Sequence, residues 1–236
     1  MLHPVHRLSR FPPAVSRWLG YRATPPATTP NYIVWFWSFI AAFCGISVLQ
    51  AVFSNAHYFL ERGVPSIVAS YSASAVLIYG AVETPLAQPR ALVGGHFVGA
   101  LTGVIVQKLF RLLPTEERYM ELQWLAGSLS VAITVVAMQM TTTTHPPAGA
   151  TALLATVNQE IIDLSWYYLP VVLLSSTLAL AVALIINNIQ RRYPVFWFAP
   201  VIALPAKTSP SLGGPENDTS QPSTPVDGGS KEFTQV

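Results

Sequence analysis

The sequence predicts an all-α protein: a polytopic membrane helix bundle of about four full spans plus two short half-helix or re-entrant segments, with signs of an internal repeat. Three observations predict it. Half of the 236 residues are hydrophobic and only a tenth are charged, which is a membrane composition rather than that of a soluble core. The apolar residues come in blocks, and residues 32–58, 64–82, 91–107, 122–159 and 164–190 contain no Asp, Glu, Lys or Arg. Two of these blocks hold short segments opened by proline, at Pro65 and at Pro146 and Pro147.

A span needs roughly 20 apolar residues to cross a ~30 Å hydrocarbon layer. Four parts follow from that rule. Residues 1–31 form a basic, proline-rich arm in which Arg7, Arg10, Arg17 and Arg22 have no acid among them, as suits a cytoplasmic segment. An arginine-rich, acid-free start could also serve as an organelle presequence, but Pro12, Pro13, Pro25, Pro26 and Pro30 oppose the amphipathic helix that role needs. Residues 32–190 are the membrane body. Residues 191–204 form an interfacial exit, where Arg191 and Arg192 precede Tyr193, Phe196, Trp197 and Phe198. Residues 205–236 are polar and rich in Pro, Ser and Gly, so disorder is expected there.

Within the body the first span covers 32–53 and holds the lone Cys44, which excludes an intramolecular disulfide and a cysteine-rich metal site. A short segment, 64–80, is opened by Pro65, and a third covers 91–113, its end reached if Lys108 and Arg111 snorkel. The order then repeats as 122–140, a short segment opened by Pro146 and Pro147, and 166–189. The short segments share a core, ASAVL at 73–77 and ATALL at 150–154. Small residues recur every fourth position in the third segments, at Gly95, Gly99 and Gly103 and at Ser175, Ala179 and Ala183. Such stripes let helix backbones approach closely in lipid, and paired halves with interrupted segments are a transporter signature.

At ~1.5 Å per residue, 147–158 makes only about 18 Å of helix. It is therefore a half-helix or the helical part of a broken span. Charge favours the re-entrant form, because four spans put the arm, Lys108, Arg111, Arg118, Arg191 and Arg192 on one side, opposite Arg62 and Arg90. Both termini are expected in the cytoplasm in either case.

Proline at the first helical position loses no hydrogen bond, so Pro146 or Pro147 starts a helix well. The amides of Ala148, Gly149 and Ala150 would then present the positive end of a helix dipole within the membrane, where anions are attracted. Thr144 supplies a hydroxyl without a fixed charge, and His145 is an ionisable group at depth that needs a reason. A threonine-capped structural kink is the plainer reading. Opposite lie Ser72 and Ser74 in the matching segment, where Ser66, Ser70 and Ser74 share a face that either lines a polar path or packs with hydroxyls bonded to their own backbone. Arg90 is an interfacial charge or an anion-attracting mouth, and His96 stands two turns inside its block. Two histidines without a carboxylate make a weak metal site and a weaker catalytic pair, so no metal, no cofactor and no catalytic residue is expected.

The blocks HPPAGATALLA, ASAVLIYG at 73–80 and PLAQPRALVGGH at 85–96 together resemble the HPP family of integral membrane proteins. The resemblance covers 32–190. It implies a compact body of about four spans and a link to transport, since members in plastids and cyanobacteria act as nitrite transporters. Some bacterial members add a pair of CBS modules, which the short tail here does not resemble. The expected function is thus a channel or transporter for a small, nitrite-like anion, with the lipid bilayer as partner, no nucleic acid, and a homo-oligomer left open. A scaffold packing through Gly95, Gly99 and Gly103 and a histidine-based membrane enzyme are the rival readings.

Overall fold

The structure is a computed structural model that describes residues 11–22 and 29–198. These belong to the first of two compact units, Met1–Val201; the second, Ile202–Val236, which includes the expected disordered tail, lies outside the described residues. The helices are α1 (Pro13–Trp18), α2 (Asn31–Asn55), α3 (His57–Leu60), α4 (Ser70–Ala75), α5 (Pro89–Phe110), α6 (Glu116–Thr141), α7 (Pro146–Val157), α8 (Gln159–Leu164) and α9 (Tyr168–Gln190). A single wide π turn, Val76–Gly80, extends α4.

Among the described residues, four stretches are long and apolar enough to cross a membrane: α2, α5, α6 and Gln159–Gln190, which contains α8 and α9. Local chemistry sets their ends. Pro89 opens α5, and prolines also open α7, where a missing N–H costs nothing. The Thr115 side chain accepts from the Arg118 amide at 3.2 Å, and Glu116 and Glu117 fill the first turn of α6, complementing its dipole. On α2, Trp35, Phe36, Phe39 and Phe43 are exposed, whereas Ala41, Gly45, Leu49 and Phe53 are buried. Large rings thus face outward, and mostly small or aliphatic side chains face the bundle.

One end of the bundle, here the near end, gathers the start of α2 and the finish of α9: Trp37 Nε1 donates to Gln190 Oε1 at 2.9 Å. Arg90, at the start of α5, donates to the Thr141 carbonyl at the finish of α6 at 2.6 Å. At the far end the Tyr58 and Tyr167 rings lie 6.4 Å apart, and Gln123 donates to the Thr156 carbonyl at 3.0 Å.

These contacts bear on the two short segments, expected as half-helices or re-entrant segments. The first short segment follows α9 from end to end, with Tyr58 beside Tyr167, Tyr71 bonded to Val172 and Ser176, Asn187 bonded to the Ile78 carbonyl, and Arg191 bonded to the Tyr79 carbonyl. The second follows α5 in the same way, from Thr143 against Gly94, through Ala148 against Gly99, to Ala152 and Ala155 against Gly103. Both are helical parts of broken crossings. The physical reason is reach: about 18 Å of helix plus the three residues 143–145 at ~3.3 Å each spans about 28 Å, close to a hydrocarbon core. The connection between α5 and α6 therefore lies at the far end, and Arg90 shares the near end with Arg191.

With six crossings, α2, α4 and α5 run in the opposite sense to α6, α7 and α9 respectively. The two triads pack alike: α2 lies on α9 as α6 lies on α5, the α4 segment lies on α9 as α7 lies on α5, and α4 meets α7 at the centre. This is an inverted repeat.

Gly95, Gly99 and Gly103 make the α5–α7 approach possible. A Cβ at Gly99 would land on the Ala148 carbonyl oxygen, at Gly103 it would sit 2.6 Å from the Ala152 oxygen, and at Gly95 2.7 Å from the His145 Cβ. Ser175, Ala179 and Ala183 are buried on α9, where the Tyr79 hydroxyl reaches the Ala179 carbonyl at 3.1 Å. Both stripes serve packing within the chain.

At the near end the arm docks on the exposed carbonyls that finish α9. Arg17 donates to Ile189, and Arg22 donates to Asn188 and Arg191, as cations favour a helix C-terminus. Burial, with repulsion from Arg17 and Arg192, lowers the Arg22 pKa from its ordinary value.

Candidate functional site

Where α4 crosses α7, five polar side chains meet without any exposure to solvent beyond a few per cent: Ser70 3%, Ser74 0%, His96 0%, His145 0% and Thr151 0%. Each is held by a different constraint. Ser70 and Ser74 are one helical turn apart on the inner face of α4. His96 projects from α5 beside Gly95, where the absence of a side chain lets α7 come close. His145 is the extended residue that precedes α7, and Thr151 lies one turn into that helix.

The groups form a continuous chain. His145 Nδ1 lies 2.8 Å from the Leu86 carbonyl oxygen and its Nε2 lies 2.9 Å from Ser74 Oγ. Ser74 Oγ is also 2.7 Å from His96 Nε2, and His96 Nδ1 is 2.7 Å from Thr151 Oγ1. Thr151 Oγ1 is in turn 2.7 Å from Ser70 Oγ. The two imidazole rings meet edge to face at 4.9 Å, and Tyr71 stacks on His96 at 4.3 Å. Buried polar groups at such depth need partners, and every one here has them.

The repeat is visible in this arrangement. Ser74 in ASAVL and Thr151 in ATALL occupy matching positions of the two short segments, and they bind the two ring nitrogens of the same histidine. The site lies on the interface between the inverted halves.

Other residues read from the sequence fall elsewhere. Ser72 is exposed and its hydroxyl donates to the Ala69 carbonyl at 2.7 Å, so it faces away from the cluster, one residue from Tyr71, which faces it. The start of α7 is more closed than the sequence reading has it: the Ala148 amide donates to the His145 carbonyl at 2.9 Å and is not free. Pro147 and Ala148 are buried, Pro146 and Ala150 are exposed, and Gly149 is half-buried with Val131 3.9 Å from where its Cβ would be. Close backbone approach belongs to Gly99, not to Gly149.

Thr144 and Arg90 line a cavity of about 360 Å³ at the near end, together with Leu86, Gln139, Thr142 and Phe198. Leu86 and Thr144 also flank His145, so this cavity stops just short of the buried chain. Arg90 donates to the Thr141 and Phe198 carbonyls, and no described carboxylate pairs with it. A second near-end cavity, about 750 Å³, is lined by Glu83, Arg191 and Arg192 among others. Burial lowers the Arg191 pKa, and its Nε is without a hydrogen-bond partner.

Sequence reasoning missed Thr151 and the tyrosines. Thr151 had a signal, its register with Ser74. Tyr71, Tyr79, Tyr168 and Tyr193 are each no more than 1% exposed and donate to carbonyls of Val172, Ala179, Thr151 and Ala87. Among the described residues no three His, Cys, Asp or Glu gather as a metal site.

A bundle of apolar crossings around a polar, fully buried centre defines a multi-pass membrane protein. Its family follows from comparison: the family model "HPP, transmembrane region" matches residues 27–194, and the chain belongs to the HPP family. Two transmembrane proteins of Dictyostelium discoideum are similar, one 37% identical over 77% of this chain and 56% of its own length, the other 34% identical over 77% and 62%. The chain thus spans about three fifths of the length of these curated relatives. No solved structure matches.

Proposed function

We propose that this protein transports a small anion, nitrite-like in size and charge, along the interface between its two inverted halves. The observation that carries the proposal is the buried hydroxyl and imidazole cluster at that interface, which an Arg90-lined cavity approaches and which is free of any described carboxylate. Inverted repeats place substrate sites at the repeat interface near the membrane midplane. Arg90 draws anions into the mouth, Thr142 and Thr144 offer hydroxyls, and the cavity brings the anion to the start of α7, the positive end of a helix dipole. The cluster beyond is the gate to the far half of the path.

Charge orients the molecule. The near end has Arg17, Arg22, Arg90, Arg191 and Arg192, and the far end has Arg62, Lys108, Arg111 and Arg118, so among the described residues the basic excess lies at the near end. The near end, with the beginning and end of the body, faces the cytoplasm by the positive-inside rule.

The test is uptake of nitrite, nitrate and formate into vesicles reconstituted with the protein. Flux above that of empty vesicles for at least one of them is expected, and equal flux for all three would refute the proposal. The scaffold reading is weakened by the structure, because α7 already covers the glycine stripe it would use.

A further inference from the structure

Charged side chains Glu83, Arg191 and Arg192 line the second near-end cavity, whose volume of about 750 Å³ is that of a small-molecule site. Arg191 donates to Ser38 Oγ at 3.1 Å, to the Tyr79 carbonyl at 3.0 Å and to Asn187 Oδ1 at 2.7 Å. Arg192 donates to the Gly20 carbonyl at 2.8 Å. These acceptors are neutral, so they cancel neither guanidinium charge, and no described carboxylate lies within ion-pair distance of either. Arg22, which donates to the Arg191 carbonyl at 3.0 Å and is repelled by Arg192, adds positive charge behind them. Glu83 is exposed and likewise forms no described ion pair. The cavity therefore presents a pair of cations and a carboxylate that the described residues leave unmatched.

The depth of this cavity in the membrane is marked by α2. Val34 lines it, and Tyr32, Trp35 and Phe36 on either side of Val34 are exposed, as aromatic side chains are at the headgroup level of a bilayer. Gly80, at the end of the π turn, also lines the cavity. It is exposed, and a Cβ there would meet nothing within 4 Å. From Gly80 a row of exposed residues with short side chains, Val76, Ala73 and Ser72, leads along the first short segment toward the middle of the membrane. A charged end at headgroup depth and an open way into the hydrocarbon match the outline of an amphiphile.

We infer that this cavity holds the headgroup of a membrane phospholipid bearing both a phosphate and a primary ammonium, of the phosphatidylethanolamine class. The phosphate takes Arg191 and Arg192, whose guanidinium groups suit its oxygens, and the ammonium takes Glu83. Basic pockets between helices on the cytoplasmic side bind anionic headgroups, but here the carboxylate repels a headgroup that carries negative charge alone. A quaternary ammonium satisfies Glu83 less well, because it has no proton to donate. The acyl chains leave past Gly80 along the row that ends at Ser72. A phosphate on Arg191 also braces the near end, since that side chain joins α2 at Ser38, the π turn at Tyr79 and α9 at Asn187.

The experiment is isothermal titration of the purified protein in a nonionic detergent, with the heats of protein-free micelles subtracted. The probes are dihexanoyl phosphatidylethanolamine, phosphatidylglycerol and phosphatidylcholine, and free phosphoethanolamine. Wild type is expected to bind the ethanolamine lipid about tenfold tighter than the glycerol and choline lipids, the effect of one matched charge pair at a partly dehydrated site. Glu83→Gln, a change at an exposed side chain, is expected to erase that preference, and Arg192→Gln to weaken all three lipids, with far-UV circular dichroism unchanged in both. No binding beyond micelles, equal binding of the ethanolamine and glycerol lipids by wild type, or a preference that survives Glu83→Gln overturns the inference, as does lipid binding unchanged by Arg192→Gln. Free phosphoethanolamine bound as tightly as the lipid overturns the membrane as its source.

Discussion

Replacing Ser74 by alanine removes one oxygen and strands two rings. Ser74 Oγ is the partner of His96 Nε2 at 2.7 Å and of His145 Nε2 at 2.9 Å, and all three residues are 0% exposed. Each buried group left without a partner costs about 1–3 kcal/mol, so the pair gives a loss of about 2–6 kcal/mol. Against a total stability on the order of 5–15 kcal/mol, that is a large fraction, and for a chain of this size it lowers the melting temperature by roughly 5–20 °C. Ser72→Ala is the matched control, two residues away on the same helix with an exposed hydroxyl; it should stay within about 0.5 kcal/mol of wild type. Thermal unfolding of the purified protein in detergent, followed by far-UV circular dichroism, compares them. Equal shifts for the two alanine variants would refute the reasoning, because they would show that the hydrogen bonds of the cluster contribute no more than a surface cap.

Gly99→Ala places a methyl group on the Ala148 carbonyl oxygen and should cost about 1–3 kcal/mol, read as a lower melting temperature, while Gly149→Ala, with Val131 3.9 Å away, should be tolerated. Arg90→Gln should lower the rate of nitrite uptake at low substrate on the order of tenfold by removing the charge that concentrates anions at the mouth, and the loss should shrink as ionic strength rises. Arg22→Ala should free the docked arm, since its contacts to Asn188 and Arg191 are lost, and limited trypsin digestion should then cut at Arg17 faster than in the wild type.

The long crossings were legible because each holds a long charge-free block, with charges only toward the helix ends at α5 and α6, and α7 was legible because its two prolines mark a helix start. The crossing of the short segments was not. A length rule applied to helix alone gives 12 residues at α7 and misses the extended residues before it, which supply the rest of the distance. The α4 helix begins at Ser70 rather than at Pro65, since proline fixes its own φ but does not oblige the next residues to continue a helix. The polar centre was half legible. His96, His145 and Ser74 each stood out as polar groups in apolar blocks, but their meeting depends on α5 and α7 touching backbone to backbone. The same rotation decides between Ser72 and Ser74, which differ by about 200° around a helix. No composition rule reports that angle.

A half with three crossings ends on the opposite membrane face from where it begins. A second copy fused directly behind it is therefore inserted upside down, with no added segment to turn it over, and the connection can be as short as the residues 111–115 that join α5 to α6. An even-numbered half could not do this. The brevity of that linker is thus what an odd crossing number permits, and the two faces of the bundle are built from the same elements in inverted order.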